Sequence, residues 1–106
     1  MPARPSHGSY RIFWGYRTAP GREEDFRRVY GPDGDWARLF RRHPGFVATH
    51  LYESVTEPGR FCTIDFWRSR SDFEEFMRVH RAAYAELDRL SENLTTEEAP
   101  LGQDEA

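Results

Sequence analysis

Residues 61–84, FCTIDFWRSRSDFEEFMRVHRAAY, restrict the fold more than any other stretch of the chain. A run rich in aromatic and β-branched side chains closes on Trp67, a short polar turn follows, and a helical apolar period then begins. Phe73, Phe76, Met77, His80, Ala83, Tyr84, Leu87 and Leu90 recur at helical spacing and form one stripe. Ser71-Asp72-Phe73-Glu74 has the form of a capping box, which sets the helix start at Ser71, and the period runs to about Asn93. A buried strand that feeds straight into a long amphipathic helix calls for a sheet covered by helices.

Upstream, Phe46–Glu53 and Arg60–Trp67 read as two strands of a hairpin joined by the loop at 54–59. Pairing Glu53 with Arg60 makes a cross-strand charge pair at the mouth. It sets Tyr52 opposite Phe61, His50 opposite Thr63, Ala48 opposite Asp65 and Phe46 opposite Trp67. In that register Val47, Thr49, Leu51, Cys62, Ile64 and Phe66 share one face, and the other face mixes rings with His50, Thr63 and Asp65. A slip of one residue would scramble these faces. Tyr10–Arg17 is a further strand with Tyr10, Ile12, Trp14 and Tyr16 on one side. Pro20-Gly21 suits a type II turn after it. Residues 22–42 are helical but broken at Gly31-Pro32-Asp33-Gly34-Asp35, since proline inside a helix costs about 3 kcal/mol and each glycine about 1. Asp33 or Asp35 is expected to cap the second piece.

The order β-α-β-β-α is an α+β layer arrangement, with residues 1–9 a disordered leader, 10–93 one domain and 94–106 an acidic tail without a strand pattern. Helices cover one sheet face, and the other face carries rings as well. A ring-lined face left in water would be a large apolar patch, so a symmetric homodimer is expected to cover it.

Composition removes several function classes. The net charge of −3 and the lack of a basic stripe speak against nucleic-acid binding. All 15 basic residues are Arg, so no lysine is present for Schiff-base or Walker-type phosphate chemistry. A single cysteine, Cys62, allows neither an intramolecular disulfide nor a zinc-type cluster. No apolar run approaches the length of a membrane helix, and a cytoplasmic protein is expected.

The APGREEDF turn and helix start, the hairpin, and the WRSRSDFEEF junction together resemble the antibiotic biosynthesis monooxygenase family over residues 10 to about 90. That resemblance implies a ferredoxin-like βαββαβ protomer and a dimeric α+β barrel, although no fourth strand is evident after Leu90. It also implies cofactor-independent oxygenation of a small aromatic or polyketide-like substrate. A non-catalytic ligand-binding dimer is the alternative. So is heme binding or degradation, for which Trp67 matches a strand-end Trp, His80 falls about one turn late, and YRIFWGYR lacks the expected Asn.

Three residues carry the candidate chemistry. His80 stands on the apolar helix stripe, where an imidazole serves as acid or base or packs as a core side chain. His50 and Asp65 share a predicted face one cross-strand step apart, as in carboxylate-oriented bases. Asp65 needs a partner if buried, and His50, Arg11, Arg17 and a second subunit are the choices. Trp14, Tyr16, Trp36 and Trp67 are expected to wall the ligand site, with Tyr84 as a phenolic donor. Strand alternation puts Trp67 with Asp65 and His50 on the dimer side, whereas the heme-branch likeness puts it under the helices.

Overall fold

In the computed structural model, which describes residues 10–106, the strand and helix patterns become β1 (Tyr10–Thr18), α1 (Glu23–Tyr30), α2 (Asp35–Phe40), β2 (Phe46–Glu53), β3 (Arg60–Trp67), α3 (Arg70–Val79), α4 (Arg81–Ser91) and β4 (Thr95–Glu105). The strands form one antiparallel sheet in the order β2-β3-β1-β4, and the helices bury its inner face in a ferredoxin-like α+β fold. The expected leader, residues 1–9, lies outside the described residues.

The acidic tail is a strand, contrary to the sequence reading. β4 pairs with β1 from Thr95 to Glu105 along the sheet edge. Its residues are mostly exposed, and Pro100 and Gly102 interrupt the alternation that marks a buried strand. The backbone ladder and charge pairs to β1 hold it instead: Arg11 donates to Asp104, and Arg17 sits 3.6 Å from Glu97. A bulge at Leu101 lays that side chain over Gly15, whose missing Cβ leaves it room.

The hairpin register differs from the expected one by one residue. Ser54 N donates to the Arg60 carbonyl at 2.9 Å, so Glu53 pairs with Phe61, Leu51 with Thr63, His50 with Ile64 and Thr49 with Asp65. A bulge at Val47 then restores Phe46 opposite Trp67. The charge pair that motivated the other register does not form. Glu53 accepts from Arg27 at 2.8 Å, and Arg60 donates to Glu57 within the loop. Ser54 Oγ closes that loop by accepting from the Thr56 and Glu57 amides.

Helix boundaries moved as well. The turn Ala19-Pro20-Gly21-Arg22 forms with Gly21 at φ +79°, the position a type II turn reserves for glycine. The break at 31–34 separates α1 from α2, but neither Asp33 nor Asp35 caps. Gly34 holds the N-cap without a side-chain bond, and Asp35 instead accepts from Arg38 one turn on. The cap of α3 is Ser69, not Ser71: its Oγ accepts from Asp72 N at 3.1 Å and donates to the Asp72 carboxylate at 3.0 Å. Asp72 in turn fills the space beside Gly45, where any Cβ would sit 2.4 Å from its carboxyl carbon. The expected single helix to Asn93 bends at His80, whose φ of −111° and ψ of 25° leave the helical region and divide α3 from α4.

Rings fill the space between sheet and helices. Trp67, Phe26 and Phe76 are fully buried, each contributing about 1.5–3 kcal/mol through removal from water. Trp67 meets Phe40, Phe46, Phe73 and Phe76 at centroid distances of 5.2–5.6 Å, mostly edge to face. Trp67 therefore lies under the helices on the same face as Asp65, and that face is not the one left for a dimer. Alternation groups Trp67 with Asp65, and the helices cover both.

Candidate active site

Alternation along β1 and β3 aims Trp14, Tyr16, Thr63 and Asp65 at the helices, and the one-residue register shift adds Thr49 from β2. Above them the break in the first helical region sets Tyr30 and Trp36 on separate helices, and the bend at His80 brings Tyr84 over the sheet. Between these side chains lies a cavity of about 150 Å³, partly open to solvent, rimmed by Asp88 and Glu98.

Asp65 is its most unusual wall. The side chain is buried, and among the described residues its only hydrogen bond is from Thr49 Oγ1 to Oδ1, at 2.7 Å. Burial penalises the carboxylate and pushes the carboxyl up to about 7, while the Thr49 bond pulls weakly the other way. The cross-strand partner is thus Thr49, and not His50, Arg11 or Arg17. A carboxyl so placed exchanges a proton near neutral pH, with acceptor capacity left for a ligand.

Three phenols surround it. Tyr16 accepts from Thr63 Oγ1 at 3.3 Å, which leaves its own proton free to donate. Tyr30 donates to Ser91 Oγ at 3.3 Å and Glu98 Oε1 at 3.2 Å. Burial raises all three phenols above their usual range, Tyr84 to about 12 with help from the nearby carboxylates. They therefore stay protonated and serve as hydrogen-bond donors. Trp36 packs edge-on to Tyr84 at 4.9 Å, and its buried indole N–H finds no acceptor at hydrogen-bond distance among the described residues. It still lies near enough to the Tyr30 hydroxyl to favour the phenolate slightly.

The structure brings together five of the eight expected site residues: Asp65, Trp14, Tyr16, Trp36 and Tyr84 line the cavity. Trp67 does not, being enclosed by the core rings deeper under the helices. His50 lies on the opposite sheet face, its ring 4.8 Å from Phe66 and its Nδ1 3.3 Å from the Tyr52 hydroxyl. His80 is the half-exposed joint between α3 and α4, its ring 5.2 Å from Phe76, and it is not a cavity wall. No histidine lines the cavity, so it offers no imidazole to hold a heme iron. Sequence reasoning missed Tyr30, Thr49, Thr63, Asp88 and Glu98. Tyr30 sat on a helical apolar stripe and was readable; Thr49 depended on the register, and Glu98 on an unrecognised strand.

Comparison with known proteins places this geometry in context. The profile of the antibiotic biosynthesis monooxygenase family matches residues 14–86. Among solved structures, SnoaB from Streptomyces nogalater, a cofactor-independent oxygenase in a mutant form, superposes with a TM-score of 0.68 at 19% identity, covering 92% of each chain. A candidate antibiotic biosynthesis monooxygenase from Bordetella bronchiseptica gives 0.70 at 20% identity, over 93% of this chain and 97% of that one. Another from Deinococcus radiodurans gives 0.71 at 13% identity, over 92% and 91%. At such identities the likeness is one of fold. No curated protein matches the sequence.

Proposed function

The chain belongs to the antibiotic biosynthesis monooxygenase family, and from that premise we propose that it is a cofactor-independent monooxygenase whose small aromatic substrate occupies the cavity between sheet and helices. The observation that carries this reading is Asp65, a buried carboxyl held at about 7 in a ring-lined cavity. In the ionised form it takes a proton from an acidic C–H of an electron-rich ring system. The resulting carbanion supplies electrons to O₂ and forms a carbon–oxygen bond as a peroxide. The protonated Asp65 returns its proton to the distal oxygen, and loss of water leaves a carbonyl. A ring CH₂ and O₂ thus become C=O and H₂O. Tyr16 and Tyr84, kept protonated by burial, donate hydrogen bonds to the oxygen on which charge collects. Trp14 and Trp36 supply flat walls that exclude water.

The role first given to His80 passes in this reading to Asp65, because a base must reach the proton it removes. Oxygen uptake is the test, measured with a panel of anthrones and quinols. Asp65→Asn should lower kcat by about 10²- to 10⁴-fold, whereas His80→Ala should leave it within about twofold. Undiminished turnover by Asp65→Asn would remove the mechanism, and no uptake with any of the panel would favour a binding protein using the same cavity.

The outer sheet face carries Phe13, Ile64 and Leu101, with Leu101 60% exposed. A second copy of the chain, packed sheet to sheet, is the proposed cover. Sedimentation showing only monomer at micromolar concentration would exclude it.

A further inference from the structure

The cavity walls are one-sided in charge. Apart from phenols, every ionisable side chain on them is a carboxyl: Asp65 on the floor, Asp88 from α4 and Glu98 from β4 at the rim. The chain has 15 arginines, and none of those among the described residues lines the cavity. Those nearest in sequence to the rim carboxyls or on the adjoining strand are engaged elsewhere, Arg89 with Glu86 and Arg17 with Glu57 and Glu97. The three carboxyls also act together on one side chain, since Asp88, Asp65 and Glu98 each favour the neutral phenol of Tyr84. Whatever opposes a phenolate there opposes any other anion in the same place.

The remaining walls are ring faces, with Trp14 lying near-parallel to Tyr16 at 6.4 Å and Trp36 edge-on to Tyr84 at 4.9 Å. Faces of Trp and Tyr attract cations through the ring quadrupole. Size adds a further limit. A volume of about 150 Å³ is what one benzene-sized ring fills, so a fused polycycle would have to protrude through the open side.

We propose that the cavity selects by charge as well as by shape: it takes a single-ring aromatic molecule bearing an ammonium group and rejects a carboxylate of the same size. This rests on the cavity being the substrate site, as argued above, but concerns binding alone. The carboxyls at the rim meet the ammonium group, and the ring stacks between Trp14, Trp36 and the phenols.

Three phenols of closely similar size test it by calorimetric titration at low ionic strength: tyramine as cation, 4-ethylphenol as neutral molecule and 4-hydroxyphenylacetate as anion. Tyramine should bind at least about tenfold more tightly than 4-ethylphenol, and 4-hydroxyphenylacetate more weakly than either. The double variant Asp88→Asn/Glu98→Gln should shrink the gap between cation and anion and leave 4-ethylphenol within about twofold, with circular dichroism confirming its fold. Equal affinity for cation and anion, an undiminished gap in the double variant, or no binding by any of the three would overturn the inference. Charge-selective binding without oxygen uptake would sink only the monooxygenase reading; oxygen uptake without charge preference would sink only this one.

Discussion

The β2–β3 hairpin presents two polar anomalies on its two faces, and they behave differently. On the inner face Asp65 is buried under helices, bonded to Thr49 and shifted to about 7. On the outer face His50 is half-buried beside Phe66 and Tyr52, on the side of the sheet opposite the described helices. The two residues are one strand apart and one register step away from being partners. What separates them is a single hydrogen bond between Ser54 and Arg60 at the loop and one bulge at Val47. Exclusion of water on the inner face raises the proton affinity of Asp65 and makes it the hairpin's candidate acid–base group.

The sharpest way to break that comparison is to unpack the inner face. Trp67→Ala should cost about 3–5 kcal/mol in denaturant unfolding, because the ring is enclosed by four phenylalanines that cannot collapse into its space. A cost below about 1 kcal/mol, as expected for an exposed position, would mean that the inner face is not the core.

Next in size is the pH dependence of stability at Asp65. Burial pushes its carboxyl from an ordinary value of 3.8 in the unfolded chain up to about 7 in the folded one. The folded chain therefore holds the proton more tightly. The stability that this provides is complete below the lower value and is lost as pH rises through the upper one. Relative to Asp65→Asn, the native chain should lose on the order of 4 kcal/mol between pH 4 and pH 8. Parallel stability curves for the two proteins would show that Asp65 is not buried as described.

A smaller effect is expected from Thr49→Val, which keeps shape and removes the one hydrogen bond that favours the carboxylate. The Asp65 carboxyl should then titrate about one pH unit higher by NMR, and the rising limb of kcat against pH should move with it. A downward move would contradict the assigned bond. Smallest of all, His50→Ala should leave the Asp65 titration where it was, because the two side chains lie on opposite faces of the sheet. Coupling between the two would restore the original register.

Much of the fold was legible before any coordinates. Aromatic alternation in YRIFWGYR and the glycine–proline interruption at 31–34 each report a local preference that survives in the structure, and the helical stripe from Phe73 survives as two helices that part at His80. Trp14 and Tyr16 were legible as one side of a strand for the same reason, whereas alternation alone grouped Asp65 with His50 on the face expected to meet a second subunit. β4 was not, because an edge strand needs only backbone pairing and tolerates a proline and exposed acids. Nor was the bend at His80, which no proline or glycine marks. His80 looked chemical because it interrupted an apolar stripe; it interrupts the helix instead, and that is what turns Tyr84 toward the sheet.

The sequence by itself determined the three strands β1 to β3, the helical segments and that rings would build the core, because periodicity and side-chain volume are properties of neighbours along the chain. Only the tertiary structure decided which residue Asp65 faces, since a period of two leaves the register free by whole residues and a loop closure and a bulge fix it from outside the strands. The same holds for the charge of the cavity: Asp65, Asp88 and Glu98 come from three separate elements, and nothing short of folding brings them to one place.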